Sequence, residues 1–295
     1  MTAKFGPSGN SKGFYDEGYK SSVDMPKWLK EKGLDAYEYS FGRGINIGFE
    51  TAEKIGNAAF ENNILLSIHS PYYINFGSSD VEMQDKSQEY LRKTLILADK
   101  MRADRVVLHP GSVGKILRKQ AFENLVVAIK KSLTMLKELN LYGKIFICPE
   151  TMGKKNQLGT LDEILEICQI DETLIPTIDF GHIHALGRGA INSIEDYEFI
   201  FNRIENALGR YRLDNLHCHF SRIEFTDAGE KKHWTFNDTQ YGPEFEPLAE
   251  LLVKRKISPR IICESRENMA EDSLKMKKIY IEYLTKLNYS LQSEQ

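Results

Sequence analysis

Seven histidines occur in the chain, His69, His109, His182, His184, His217, His219 and His233, and none falls within a stretch of helical spacing. His69 and His109 end the β-rich runs Ile64 to His69 and Arg105 to His109. His219 stands near the end of Asn215 to Phe220, and His182 follows Leu174 to Asp179 by three residues. Carboxylates hold matching places: Glu150 closes Lys144 to Glu150, Asp179 closes Leu174 to Asp179, and Glu264 closes Arg260 to Glu264. A single histidine at a strand end is most often a hydrogen-bonded structural residue. Imidazoles and carboxylates gathered together at strand ends describe a metal centre instead. The abundance of imidazole favours zinc, with manganese or iron as alternatives.

Such residues meet only if their strands lie side by side. Lys4 to Gly6 and Ala36 to Phe41 bring the β-rich runs to eight. Between runs lie stretches of helical spacing, over Phe49 to Asn62, Gln84 to Ala103, Leu117 to Leu139, Ile194 to Leu208 and Met269 to Leu287. Alternating strand and helix predicts a parallel sheet, and eight units predict closure into a (β/α)8 TIM barrel of the α/β class. No linker divides the chain, so residues 1–295 read as one domain with a polar tail at 290–295. In this barrel all strand ends converge on the C-terminal rim, where active sites of the fold lie. The long polar segment Ser221 to Pro243 is expected on that face.

Side-chain alternation supplies an internal check. The residue before each inward ligand should be apolar or small and face the helices, as Ile68, Leu108, Ile178, Cys218 and Cys263 are placed to do. Cys148, two before Glu150, points inward by the same parity. The four cysteines form no C-x-x-C pair, which predicts reduced thiols and a cytoplasmic protein. No apolar run approaches the ~18 residues a membrane span needs. A net charge of −3 excludes a broadly basic nucleic-acid binder, so any polyanion must be held locally, in part by bound cations.

Three carboxylates and several imidazoles exceed what one tetrahedral ion accepts, which implies more than one metal. Paired ions ~3.5 to 4 Å apart clamp the attacking and leaving oxygens of a phosphate, and a water on such an ion loses its proton near neutral pH. Phosphodiester hydrolysis by metal-bound hydroxide is the chemistry that best uses this set, with no protein nucleophile.

The motifs Ser67-Ile-His-Ser-Pro-Tyr-Tyr-Ile-Asn-Phe-Gly77, Leu108-His-Pro-Gly-Ser112, Pro149-Glu-Thr-Met-Gly-Lys154, Ile178-Asp-Phe-Gly-His182 and His217-Cys-His-Phe-Ser221 resemble, in order, those of endonuclease IV, the metal-dependent apurinic/apyrimidinic endonuclease family. The match runs from Phe5-Gly-Pro-Ser-Gly9 to Ile262-Cys-Glu264 and has the look of a divergent branch. The resemblance implies a xylose-isomerase-like barrel with a di- or trinuclear zinc site that cuts double-stranded DNA on the 5′ side of abasic sites. It implies that His69 and His109 bind a first zinc, that Glu150 bridges it to a second, and that Asp179, His219 and Glu264 complete the second site. His182 and His233 match the third site. There the family's aspartate, two residues before the last histidine, is replaced by Lys231. A protonated lysine is a poor ligand, so Glu230 is expected to substitute, with Asp227 next.

Tyr72 matches a family position near the abasic nucleotide. Arg43, in the loop after the second strand, and Lys154, in a rim loop, are candidate DNA contacts. His184 reads as a partner that orients a ligand, and His217 as a deeper hydrogen-bonded residue. The protein is expected to act as a monomer, away from membranes. The alternative is a sugar isomerase or epimerase of the same barrel type, which needs carboxylates around one or two ions and fewer histidines. A non-catalytic metal- or nucleic-acid-binding barrel is a third reading.

Overall fold

A computed structural model describes residues 2–293. In chain order the elements are β1 (Lys4–Pro7), α1 (Lys12–Asp16), α2 (Met25–Lys32), β2 (Ala36–Ser40), α3 (Phe49–Glu61), β3 (Leu65–His69), α4 (Val81–Lys100), β4 (Arg105–Leu108), α5 (Arg118–Glu138), β5 (Phe146–Pro149), α6 (Leu161–Cys168), β6 (Thr177–Asp179), α7 (Phe180–Leu186), α8 (Ile194–Asp214), β7 (His217–Phe220), β8 (Arg222–Thr226), β9 (Gly229–Trp234), α9 (Glu246–Arg255), β10 (Arg260–Cys263) and α10 (Met269–Ser293).

Two parallel four-stranded sheets, ordered β1-β10-β7-β6 and β2-β3-β4-β5, form the wall. Parallel bridges close the two seams, Ser8 to Glu38 on one side and Ile147 to Leu174 with Glu150 to Thr177 on the other. The result is an eight-stranded TIM barrel in which every strand end points to one rim. At the first seam β1 and β2 run so close that a Cβ on Gly6 would lie 1.8 Å from the Ala36 carbonyl oxygen. Only glycine fits there.

Alternation sorts the side chains. Ile68, Leu108, Ile178, Cys218 and Cys263 all pack in the outer core between strands and helices. Cys148 turns inward and packs with Val107 and Ile175 as a small apolar plug inside the barrel. At the inner end Arg260 makes two hydrogen bonds to the Asp104 carboxylate, at 2.8 and 2.9 Å. Among the described residues no helix is long and apolar enough to cross a membrane.

The structure departs from the sequence reading in two places that matter and adds detail in a third. His182 and His184 lie in α7, a helix too short for its spacing to register, so the histidines are not all outside helices. The long polar segment after β7 holds the antiparallel β8–β9 hairpin, which the sequence reading did not specify. Helix α10 continues to Ser293 through residues expected as a polar tail, while residues 294 and 295 lie outside the described residues.

Candidate metal centre

Three groups of side chains meet at the rim, with possible ligand atoms in each group lying within 4.8 Å of one another: His69, His109 and Glu150; Glu150, Asp179, His219 and Glu264; and His182, Glu230 and His233. Glu150 belongs to the first two and is completely buried. Its Oε2 lies 3.2 Å from Nε2 of both His69 and His109. Its Oε1 lies 3.2 Å from Nδ1 of His219 and 3.3 Å from Nδ1 of His182. One carboxylate thus touches four imidazoles, which only the meeting of β3, β4, β5, α7 and β7 ends makes possible.

Local structure aims the donors. Asp179 ends β6 and caps α7, its Oδ1 accepting the His182 backbone N–H at 2.7 Å. Its other oxygen, Oδ2, is buried with no hydrogen-bond partner. A buried orphan of this kind is costly unless something outside the protein satisfies it, and a cation in the second group would do so. The ring nitrogens are assigned by their neighbours. Backbone carbonyls only accept, so His69 Nδ1–H donates to Ser70 at 2.9 Å and His182 Nδ1–H to Thr151 at 2.9 Å. Their Nε2 atoms remain for a ligand, which is how metal-binding histidines are oriented.

The electrostatics show how tightly the charges are coupled. Burial alone would raise Glu150, but His219 and His109 hold it well below the usual carboxylate range. Burial opposes protonation of His69, yet its hydrogen bond to Glu150 lifts it to about 9. Burial lowers His109 and raises Asp179. Burial opposes charge on Glu230 as well, but His233 and His182 bring it to about 2. Positive charge is wanted among these carboxylates, and protonated imidazoles supply it when no cation does.

The third group depends on a strand irregularity. Along the hairpin Ile223 faces His233, Glu224 faces Lys232, and then Phe225 faces Glu230, so Lys231 is the extra residue of a bulge. In a regular strand residues 231 and 233 would share a face. The bulge shifts the parity by one and puts Glu230 on the face of His233. Glu230 accordingly lies 3.4 Å from Nε2 of His182 and 3.6 Å from Nε2 of His233. Lys231 turns out to Glu224. Asp227, the other candidate, is exposed and lies 3.3 Å from Arg188, away from the group. The hairpin is docked by the Glu230 N–H donating to the Gly153 carbonyl at 2.8 Å. Gly153 leaves no spare room: a Cβ there would lie 2.8 Å from Cβ of Glu230 and 3.0 Å from Cδ2 of His182.

Six of these residues, His69, His109, His182, Glu230, His233 and Glu264, line a cavity of about 390 Å³ with Tyr72, Met152, Lys154 and Gln157, while Glu150, Asp179 and His219 lie buried behind it. Tyr72 is 56% exposed, and its ring stacks on His109 at 5.5 Å. Lys154 Nζ is 3.9 Å from Glu230 Oε2. Arg43 is exposed in the neighbouring loop, which is tied to the Tyr72 loop by the Tyr72 N–H donating to Gly42 at 3.0 Å. A larger cavity of about 590 Å³ opens around His184, Arg188 and Phe225. None of the possible metal-ligating groups among the described residues lines it. His184 faces it rather than any ligand, its Nδ1 accepting the Ile191 N–H at 3.2 Å. Two residues along a helix turn a side chain ~200°, which puts His184 opposite His182.

One buried acidic residue next to these groups escaped the sequence reading. Glu38, on β2, is completely buried and touches both His217 and His219. An inward charged residue between the outward Tyr37 and Tyr39 was its one visible signal.

A family model described as xylose isomerase-like TIM barrel matches residues 26–280. The chain belongs to that family. It is 30% identical over 254 residues to an uncharacterized protein of Methanocaldococcus jannaschii, covering 86% of this chain and 90% of the relative. It is 29% identical over 160 residues to the probable endonuclease 4 of Mycoplasma pneumoniae, where the match spans about half of each protein, 52% of both. Among solved structures, a D-tagatose 3-epimerase-like protein superimposes with a TM-score of 0.72 at 20% identity, over 98% of this chain and 99% of the other. Endonuclease IV from Thermus thermophilus superimposes with a TM-score of 0.67 at 17% identity, over 96% and 99%. The relative and the two structural neighbours thus carry names of two kinds, endonuclease and epimerase, on one barrel fold.

Proposed function

We propose that this protein is a metal-dependent endodeoxyribonuclease that hydrolyses the phosphodiester 5′ to abasic sites in double-stranded DNA. The observation that carries the reading is the sharing of Glu150 between two donor groups with a third group, His182, Glu230 and His233, against them. His69 and His109 hold a first zinc with Glu150. Asp179, His219 and Glu264 hold a second with Glu150, and the third group takes a third. Divalent ions there supply Lewis acidity, neutralising phosphate charge and lowering the pKa of water.

The chain's own residues do the rest. Glu150 spans two groups with its two oxygens and fixes their separation. Asp179 offers its unpartnered oxygen to the second group. Tyr72, exposed at the mouth beside His109, offers a flat face to the space an extruded nucleotide leaves. Lys154 and Arg43 stand on the same rim to meet phosphates. We place the protein in the cytoplasm, acting as a monomer. Its four cysteines are buried and free.

Sugar epimerisation is the second reading, because Glu150, Asp179, His219 and Glu264 alone make one four-residue donor group. That reaction leaves the two histidine-rich groups without a task. Incubating the purified protein with an abasic-site duplex and an undamaged duplex, with and without chelator, tests the two. Chelator-sensitive cutting of the abasic duplex alone is expected. Intact DNA together with interconversion of a ketose and its epimer refutes the hydrolase reading.

A further inference from the structure

Behind the donor groups, one layer deeper in the barrel, lies a second set of inward side chains. Glu38 on β2, Ser67 on β3 and Arg105 on β4 are register neighbours across three strands. His217 on β7 completes the set, and all four are buried.

The donors and acceptors follow one direction. A guanidinium only donates, so Arg105 Nη1, 3.4 Å from His217 Nδ1, makes that nitrogen the acceptor. The proton of His217 is then on Nε2, which donates to Glu38 Oε2 at 2.8 Å. The Ser67 hydroxyl donates to the same oxygen at 2.8 Å. Glu38 Oε1 is left over. It lies 2.9 Å from Nε2 of His219, a charge contact outside hydrogen-bond geometry, and neither of these two buried atoms has a hydrogen-bond partner. The other nitrogen of His219 is the one turned to Glu150 and Glu264, at 3.2 and 3.5 Å.

We propose that Glu38 is a positioning residue for the second donor group: held by Ser67, His217 and Arg105, it keeps the proton of His219 on Nε2 and so leaves Nδ1 bare to ligate a metal ion. The inference rests on the metal-centre reading above. His69 and His182 have the same job done by the Ser70 and Thr151 backbone carbonyls, which no substitution removes. His219 alone of these three is served by a side chain. Glu38, His217 and His219 also come within ligating distance of one another. They do not form a cation site, because the Nε2 proton of His217 points into the group and the Arg105 guanidinium backs it.

The test compares wild type with Glu38→Gln, which keeps the shape and removes the charge, and with Glu38→Asp. Zinc per chain is measured by elemental analysis and its affinity by chelator competition. Glu38→Gln is expected to weaken one zinc equivalent about 10- to 100-fold and leave the others unchanged, with partial recovery in Glu38→Asp. Nitrogen-15 NMR of the zinc-loaded wild type is expected to show His219 protonated at Nε2, and this readout stands if the glutamine variant does not fold. Equal loss of every equivalent, no loss at all, or a proton on Nδ1 overturns the proposal. A wild type that binds no divalent metal overturns it together with the metal centre. Metal-loaded protein that leaves abasic DNA intact refutes the hydrolase reading alone.

Discussion

Replacing Glu150 with glutamine probes the centre most directly, because the change keeps the side chain's size and removes the charge that four imidazoles share. In metal-free protein near pH 7 those imidazoles lose their common counter-charge. Breaking a buried charge pair by removing one partner costs about 3–5 kcal/mol. Unfolding entropy of ~2.1 cal/mol/K per residue gives roughly 0.6 kcal/mol/K for a chain of this length, so Tm should fall by about 5–8 °C. The pH dependence identifies the cause. Burial disfavours charge on His69, but the Glu150 hydrogen bond raises it to about 9 against 6.5 unperturbed. That interaction stabilises the fold fully below about 6.5 and is lost as pH rises through 9. The Tm difference between wild type and Glu150→Gln, followed by calorimetry in chelator, should therefore be largest near pH 6.5 and narrow towards pH 9.5. DNA cleavage should be abolished in the folded variant at every pH. A Tm difference that is absent, or that widens with pH, refutes the charge-sharing argument, and wild-type cleavage refutes the bridging role.

Other consequences are equally direct. Glu230→Ala should lower bound zinc by one equivalent, and adding Lys231→Asp should not restore it, since residue 231 is the bulged one and faces Glu224; restoration would show that the hairpin has no fixed bulge. Gly153→Ala forces a Cβ to 2.8 Å from Glu230 Cβ, an overpacking of about 1–3 kcal/mol, so Tm should drop by roughly 2–5 °C and the third equivalent should be lost; an unchanged Tm and zinc content would contradict the tight docking. Tyr72→Ala removes an exposed ring, so Tm should move little while affinity for abasic duplex, read by fluorescence anisotropy, falls about 5- to 150-fold; undiminished binding would remove Tyr72 from the DNA contact.

The residues themselves determined the architecture and most of the donor set. Eight β-rich runs at regular spacing are eight barrel strands in the structure, because period-2 alternation with one helix-facing side is a local property. His69, His109, Glu150, Asp179 and Glu264 could be found for the same reason: a ligand at a strand end follows an outward apolar residue, and strand ends in this fold meet. What only the tertiary structure decided is whatever depends on parity being broken or on contacts across the barrel. Glu230 is the substitute the sequence itself names, because a protonated Lys231 is a poor ligand, but the bulge that puts it on the face of His233 leaves no mark in composition. Glu38 reads as an ordinary strand glutamate until closure of the barrel brings it against His219, 181 positions later in the numbering. Helix α7 is too short to show a period, yet its cap turns Asp179 and His182 toward the same centre. Local pattern specifies elements, whereas a shared counter-charge such as Glu150 exists only once four separate parts of the chain have packed around it.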